Sequence, residues 1–107
     1  MRKLIRDGIP ALIMEERLKT NEALDHAYSG IRKMSDWEYP YALRIKLDEE
    51  WAEVWEKPSA EELGDCLEVL MAAAAHFGID WSDVEKERVV KSETRGGFFG
   101  KWELSKK

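Results

Sequence analysis

Residues 43–78, LRIKLDEEWAEVWEKPSAEELGDCLEVLMAAAAHFG, decide the fold expected for this chain. On both sides of Pro58, apolar residues recur every three or four positions, which is the period of an α-helix. Pro58 cannot continue the first of these helices, and Ser59 suits the N-cap of the second. The sequence therefore predicts two long helices that are joined by only a few residues and pack antiparallel.

Flanking segments extend the prediction to an all-α fold, a small four-helix bundle in a single domain over residues 1–107. The expected helices run from Pro10 to Lys19, from between Ser35 and Pro40 to about Glu56, from Ser59 to Gly78, and from Asp80 or Ser82 to about Thr94. Ser35 with Glu38 and Ser82 with Glu85 have the spacing of capping boxes. A loop with a turn at Ser29-Gly30 is expected over residues 20–34. Because four short helices leave apolar surface uncovered, we expect a homodimer or a higher homo-oligomer.

Two acidic clusters occupy the predicted helix pair: Glu49, Glu50 and Glu53 in one helix, and Glu62 and Asp65 in the next. Each contains carboxylates three residues apart, which on a helix are neighbours on one face, about 5–6 Å apart at Cβ. Two such pairs facing each other would present four oxygen ligands, which suits a hard cation such as Mg²⁺. The simpler interpretation is a set of solvated surface charges.

Helical geometry favours the metal interpretation. The apolar stripe of the second helix comprises Leu43, Leu47, Trp51 and Val54, and the apolar arc of the third comprises Leu63, Cys66, Leu67, Leu70, Met71, Ala73, Ala74 and Phe77. Glu50 falls inside the stripe, Glu62 projects into the arc, and Asp65 lies at its edge. Buried carboxylates without partners are strongly unfavourable, so these must be protonated, paired or metal-bound.

Glu62 has a second interpretation that the sequence leaves open. It stands at the N3 position relative to Ser59, where a glutamate often folds back onto the backbone N–H of the cap residue. Taken by itself, Glu62 fits a capping role as well as metal ligation.

Composition bounds the classes of partner. A net charge of −5 and a pI near 5.1 argue against binding to nucleic-acid polymers or anionic membranes, which need a basic face. A mononucleotide stays compatible, because a bound metal ion can supply positive charge locally. The single cysteine, Cys66, is expected to be a buried thiol and fits a reducing compartment. No apolar signal core or spanning segment is visible, so a cytoplasmic location is expected.

Four blocks, in order, resemble a known family. Residues 49–53 (EEWAE) and 62–65 (ELGD) resemble the E-E-x-x-E … E-x-x-D pattern of the MazG-like, all-α nucleoside triphosphate pyrophosphohydrolases. Residues 3–10 (KLIRDGIP) and 95–98 (RGGF) look like the K-L-V-R-D-K-I-P opening and R-G-G-F close of a subgroup related to phosphoribosyl-ATP pyrophosphohydrolase. The block that contains residues 62–65 is longer: residues 61–70 (EELGDCLEVL) are similar to the subgroup's E-E-L-A-D-V-L-E-V-I helix. The resemblance covers nearly the whole chain except residues 19–34.

The resemblance implies Mg²⁺-dependent hydrolysis of a nucleoside triphosphate, or a related nucleotide, to the monophosphate and pyrophosphate, with Mn²⁺ as a substitute metal. By motif position, Glu50, Glu53, Glu62 and Asp65 would be metal ligands, and Glu49 would help to bind a metal or orient the attacking water. Glu49 and Glu50 are thus the expected catalytic pair. The small-molecule nucleotide is the expected partner.

Basic residues should neutralise the substrate phosphates. Arg6, Lys91 and Arg95 are the expected substrate-binding residues. Lys91 and Arg95 are the first candidates, with Arg6 and Lys3 behind them. Arg95 is well placed, because the adjacent glycines let the backbone approach a ligand closely. For Lys3 and Lys91, plain surface charge is an equal alternative. Gly8 stands where the subgroup has lysine, which removes one positive charge near the substrate.

Several alternatives remain at this level. A non-catalytic nucleotide-binding or protein-interaction module on the same scaffold is the second hypothesis, and the missing lysine at Gly8 is the hint toward it. A metal-buffering or structural bundle is the third. Among the aromatic residues, Trp51 is expected in the core. Phe98, Phe99 and Trp102 are expected either to reach a base or to dock on the protein.

Overall fold

The computed structural model describes residues 3–20 and 30–106, with backbone alone for residues 17–20. Within these ranges the chain forms four α-helices and no strand: α1 (Ile9–Thr20), α2 (Tyr39–Glu56), α3 (Ala60–His76) and α4 (Trp81–Arg95). The all-α prediction is confirmed, with helix bounds close to those expected. Residues 21–29, which include Ser29 of the predicted turn, lie outside the described part of the chain.

The chain divides into two compact units, Met1–Val69 and Leu70–Lys107, whose boundary falls inside α3. The first unit contains α1, α2 and the first ten residues of α3. All five acidic residues singled out from the sequence therefore belong to this first unit. The single domain stays a prediction.

At the start of α2, a charged contact stands where a capping box was expected. The Glu38 carboxylate accepts a hydrogen bond from the Ser35 backbone N–H at 3.0 Å and two from the Arg32 guanidinium at 3.0 and 3.1 Å. These bonds, those of Arg32 first, lower the pKa of Glu38 to about 2. Only the glutamate half of the box is formed, and α2 begins at Tyr39 with Pro40 in its first turn, where proline is tolerated.

Both ends of α3 follow local sequence signals. Ser59 Oγ accepts a hydrogen bond from the Glu62 backbone N–H at 3.1 Å, as expected of an N-cap. At the other end Gly78 has φ +70°, and its N–H bonds to the Ala75 carbonyl at 3.1 Å, while the Ile79 N–H reaches the Ala74 carbonyl at 2.8 Å. This is a Schellman motif, which needs a residue with positive φ and so favours glycine.

The N-cap of α4 is Asp80. Its carboxylate accepts hydrogen bonds from the Ser82 backbone N–H and hydroxyl, both at 3.0 Å. The alternative start at Ser82 with a Ser82–Glu85 capping box is wrong, because Ser82 already lies inside the helix and the Glu85 carboxylate pairs with Arg88 at 3.2 Å. Gly96, with φ +79°, ends the helix as predicted.

Only some of the apolar residues that were predicted to form the core of α2 and α3 are buried. Leu43, Cys66 and Ala74 are buried, and Glu50 is the buried charged residue of the described chain. The placement of Trp51 in the core is wrong: it is 49% exposed and makes an edge contact with Trp55 at 5.8 Å between ring centroids. Much of the predicted arc of α3 is also exposed, namely Leu63, Leu67, Leu70, Met71 and Phe77. None of the helices in the described ranges has the length and apolar character needed to cross a bilayer.

Candidate metal centre

Three acidic side chains of the first unit converge. Glu50 projects from the buried face of α2, and Glu62 and Asp65 project from the first two turns of α3. One carboxylate oxygen from each residue lies within 4.8 Å of the others. The structure thus brings together three of the four residues predicted as metal ligands, and we refer to Glu50, Glu62 and Asp65 as the acidic triad.

Glu53, the fourth predicted ligand, adjoins the acidic triad without being part of it. Its pKa is raised, first by the negative charge of Glu50, then by burial, by a hydrogen bond with Glu50 and by the charge of Glu62. Such a shift means that a further negative charge is unfavourable at this point of the structure. Glu53 therefore belongs to the same electrostatic cluster.

Glu50 has a basic neighbour on its own helix. Lys46 Nζ lies 3.2 Å from Glu50 Oε1 and 3.7 Å from Glu49 Oε1. The Lys46 side chain is only 17% exposed, so its charge is directed at these two carboxylates and away from bulk solvent. Sequence reasoning did not assign Lys46 a role, although its i,i+4 spacing to Glu50 was a signal for this contact.

The structure bears on one of the two interpretations of Glu62, the capping role. The Ser59 hydroxyl caps its backbone N–H, but the Glu62 carboxylate makes no return bond to Ser59 in the described structure. Instead, Glu62 Oε2 is buried and has no hydrogen-bond partner among the described residues. A buried polar atom without a partner costs about 1–3 kcal/mol, and more when charged. A bound cation would supply the partner that this oxygen lacks.

The donor set fits a hard cation. The acidic triad and Glu53 offer oxygen atoms alone, the ligand type of Mg²⁺, Mn²⁺ and Ca²⁺. Cys66, as predicted, is a buried free thiol. Burial first, and then the charges of Glu50 and Asp65, raise its pKa, which holds it protonated and disfavours thiolate ligation of a soft metal.

Arg6, in the segment before α1, contacts the acidic triad at Asp65. Its guanidinium Nη2 donates to Asp65 Oδ1, a contact between residues 59 positions apart. With Glu49 included, five carboxylates face two cations, Arg6 and Lys46, which leaves an excess of three negative charges when all are ionised. Because the excess negative charge is not neutralised by Arg6 and Lys46, binding of a divalent cation at the cluster would be favourable.

The remaining predicted substrate residues are exposed. Lys91 and Arg95 occupy exposed positions on α4, in the second unit, and Lys3 is exposed in the segment before α1. Their substrate-binding roles stay predictions. The side chains of Phe98, Phe99 and Trp102 are almost fully exposed, and their contact with a base or with the protein stays a prediction.

Comparison with protein-family models, with curated proteins and with solved structures found no significant match to this chain.

Proposed function

We propose that this chain hydrolyses a nucleoside triphosphate, or a related nucleotide, to the monophosphate and pyrophosphate, using Mg²⁺ held by Glu50, Glu53, Glu62 and Asp65. The observation that carries the proposal is the buried, unpartnered Oε2 of Glu62 inside a cluster with excess negative charge. The type of reaction comes from the resemblance of the sequence blocks to the MazG-like pyrophosphohydrolases.

An antiparallel α2–α3 pair in the first unit is part of this proposal. Only residues 57–59 separate the two helices. Glu50 lies six residues before the end of α2 and Glu62 two residues after the start of α3, yet their oxygens approach within 4.8 Å. A short connection and side-chain contact near the turn are typical of an αα-hairpin.

The charged residues beside the metal ligands have distinct parts in the reaction. Bound Mg²⁺ would lower the pKa of a coordinated water and neutralise phosphate oxygens. Glu49 is more exposed than Glu50 and accepts a proton from the attacking water, whose oxygen bonds to phosphorus. The P–O bond to pyrophosphate breaks, and pyrophosphate leaves with the electron pair. Lys46 holds Glu49 and Glu50 in place, and Arg6 adds positive charge beside Asp65.

The direct test is a panel of nucleoside triphosphates incubated with the protein and Mg²⁺. We expect at least one nucleotide to yield the monophosphate and pyrophosphate, so that orthophosphate is detected only after inorganic pyrophosphatase is added. Chelation by EDTA should stop the reaction. Direct release of orthophosphate, or no product from any nucleotide, would contradict the proposal.

The non-catalytic binding module makes a different prediction in the same samples. Gly8 is exposed and stands where the related subgroup has lysine, so the substrate side of the site has one charge less. A nucleotide that raises the melting temperature without being hydrolysed would favour this alternative. Metal binding that is unaffected by every nucleotide would favour a metal-buffering or structural bundle.

A reducing, cytoplasmic setting belongs to the same proposal. Cys66 is the only cysteine, and it is a buried free thiol. Proteins with unpaired, buried thiols are typical of reducing compartments.

Self-association is the last part of the proposal, and α2 offers the surface. Its solvent side and the preceding turn carry exposed apolar side chains, which we call the exposed apolar set of α2: Trp37, Tyr41, Ile45, Trp51 and Trp55. Together they expose on the order of 700 Å². One partner of a standard-size interface contributes about 800 Å². A second copy of the chain would cover a surface of this size and aromatic content.

Light scattering at micromolar concentration should therefore give at least twice the 12.4 kDa mass of one chain. Ile45→Glu places a charge one helical turn from Tyr41, within the exposed apolar set of α2, and should shift the protein toward monomer. Ser92→Glu, which adds the same charge at an exposed position of α4, is the control and should leave the mass unchanged. A 12.4 kDa wild-type species would rule out the oligomer.

A further inference from the structure

The two cations at the acidic cluster are held in different ways. Lys46 is largely buried and contacts Glu49 and Glu50 from the same helix, three and four residues away. Arg6 is 58% exposed and contacts Asp65, whose side chain is 29% exposed, from outside the helix pair. Lys46 is therefore a fixed local counter-ion, whereas the Arg6 contact lies on the solvent side of the cluster.

The backbone of Arg6 is anchored although its side chain is exposed. Its carbonyl accepts a hydrogen bond from the Ile9 N–H at 3.1 Å, at the start of α1. The Leu12 N–H bonds to the Gly8 carbonyl at 3.3 Å and continues that turn. Since the backbone is held by the first turn of α1, the long side chain can redirect its guanidinium without unfolding the segment.

The Asp65 carboxylate has two possible partners, Arg6 and a cation at the acidic triad. It belongs to the acidic triad, and one of its oxygens already accepts from Arg6. A divalent cation held by the acidic triad would withdraw this charge and repel the adjacent guanidinium. The guanidinium would then face the polyphosphate, an anion that it binds in bidentate fashion.

We propose that Arg6 is an exchangeable counter-ion, which neutralises Asp65 until a divalent cation binds there and then transfers to the phosphates of the substrate. The inference rests on the proposed function, because it needs a cation at the acidic triad. It couples the two ligands: the cation frees Arg6, and the polyphosphate captures it.

If Arg6 stays on Asp65 when the cation binds, the effect of losing Arg6 on cation affinity has the opposite sign. If Arg6 only orients Asp65 toward the cation, loss of Arg6 weakens cation binding, as loss of an orienting neighbour does at other metal sites. If Arg6 competes with the cation, its loss strengthens cation binding.

The experiment measures binding of Mn²⁺ alone, by the free-ion EPR signal, to the full chain and to Arg6→Gln. Competition at an exposed ion pair predicts about two- to fivefold tighter Mn²⁺ binding for Arg6→Gln. Inorganic tripolyphosphate, titrated calorimetrically in saturating Mg²⁺, should bind about tenfold more weakly to the same variant. Tighter Mn²⁺ binding together with weaker tripolyphosphate binding by Arg6→Gln is the result that exchange predicts.

Two further variants separate charge from geometry. Arg44→Gln removes the same charge from an exposed position on α2, about 120° around the helix axis from Glu50. It should change both affinities less than Arg6→Gln does. Arg6→Lys keeps the charge and should retain wild-type Mn²⁺ affinity while losing part of the tripolyphosphate affinity.

The outcomes distinguish this inference from the proposed function. Weaker or unchanged Mn²⁺ binding by Arg6→Gln, or an equal gain in Arg44→Gln, overturns the exchange role and leaves the metal site standing. A wild-type protein that binds no Mn²⁺ overturns both. Exchange with no hydrolysis of any nucleotide supports the Arg6 inference and removes the proposed reaction.

Discussion

Glu50→Gln should lower nucleotide turnover by about a hundredfold or more while the helix content stays unchanged. The magnitude follows because loss of groups that merely support a metal ligand already costs about 10–100-fold. Glu50 is the most buried member of the acidic triad, at 8% exposed, and glutamine keeps its shape but not its charge. Lys46 would then keep an ion pair with Glu49 alone, at the longer distance of 3.7 Å. Turnover is measured as pyrophosphate release, and helix content by circular dichroism.

Matched variants on α3 decide how the result is interpreted. Asp65→Asn should cause a loss of similar size, because Asp65 contributes an oxygen to the acidic triad. Glu61→Gln and Glu68→Gln make the same chemical change at exposed positions of the same helix and should keep near wild-type turnover. Full activity of Glu50→Gln would remove Glu50 from the site, and equal losses in the controls would show a general charge effect.

Mg²⁺ should raise the melting temperature by about 10 °C or more when its concentration reaches a hundred times its dissociation constant. At that ratio, binding to the folded state alone adds about 2.7 kcal/mol to the free energy of unfolding. One kcal/mol moves the midpoint of a domain of about 100 residues by several degrees. The physical source is relief of repulsion between Glu50, Glu53 and Glu62 and a partner for Glu62 Oε2. Thermal scans with and without EDTA measure the shift.

The pH dependence of this stabilisation has a definite sign. The pKa of Glu53 in the folded protein is raised above its ordinary value of 4.5, so ionisation of Glu53 opposes folding. As the pH falls through the raised pKa, Glu53 gains a proton, its repulsion with Glu50 disappears, and the cation loses a charged ligand. The Mg²⁺-induced shift in melting temperature should therefore shrink as the pH falls.

Glu62→Gln is the variant that tests the source of the stabilisation. It should lose most of the Mg²⁺-induced shift, whereas Glu61→Gln, next to it on α3, should keep it. Potassium chloride at the same ionic strength controls for general screening. An equal shift in Glu62→Gln and the wild type would place the bound cation elsewhere.

Helix boundaries were predictable because local contacts set them. Ser59, Gly78 and Asp80 act on backbone groups within a few residues, so their identity and spacing were sufficient signals. The error at Ser82 arose because two cap residues stand two positions apart and only the backbone conformation at Asp80 decides between them. The box at Ser35 was half right, because the Glu38 backbone N–H bonds to the Ser35 carbonyl at 3.2 Å and not to the Ser35 hydroxyl.

The candidate site was predictable in part. Burial of Glu50 followed from its angular position among the apolar residues of α2. Trp51, at the border of the same stripe, was misplaced, because helical periodicity gives a direction and cannot tell how far neighbouring elements extend over it. Lys46 had a usable local signal in its i,i+4 spacing to Glu50.

The sequence by itself determined four helices, their caps and the acidic character of one face in each of α2 and α3, because these properties depend on residues at most a turn or two apart. Tertiary structure decided which carboxylates meet, that Glu62 Oε2 is left without a partner in the described chain, and that Arg6 contacts Asp65 across 59 positions. Such contacts depend on the distances between helices, which periodicity within one helix does not contain.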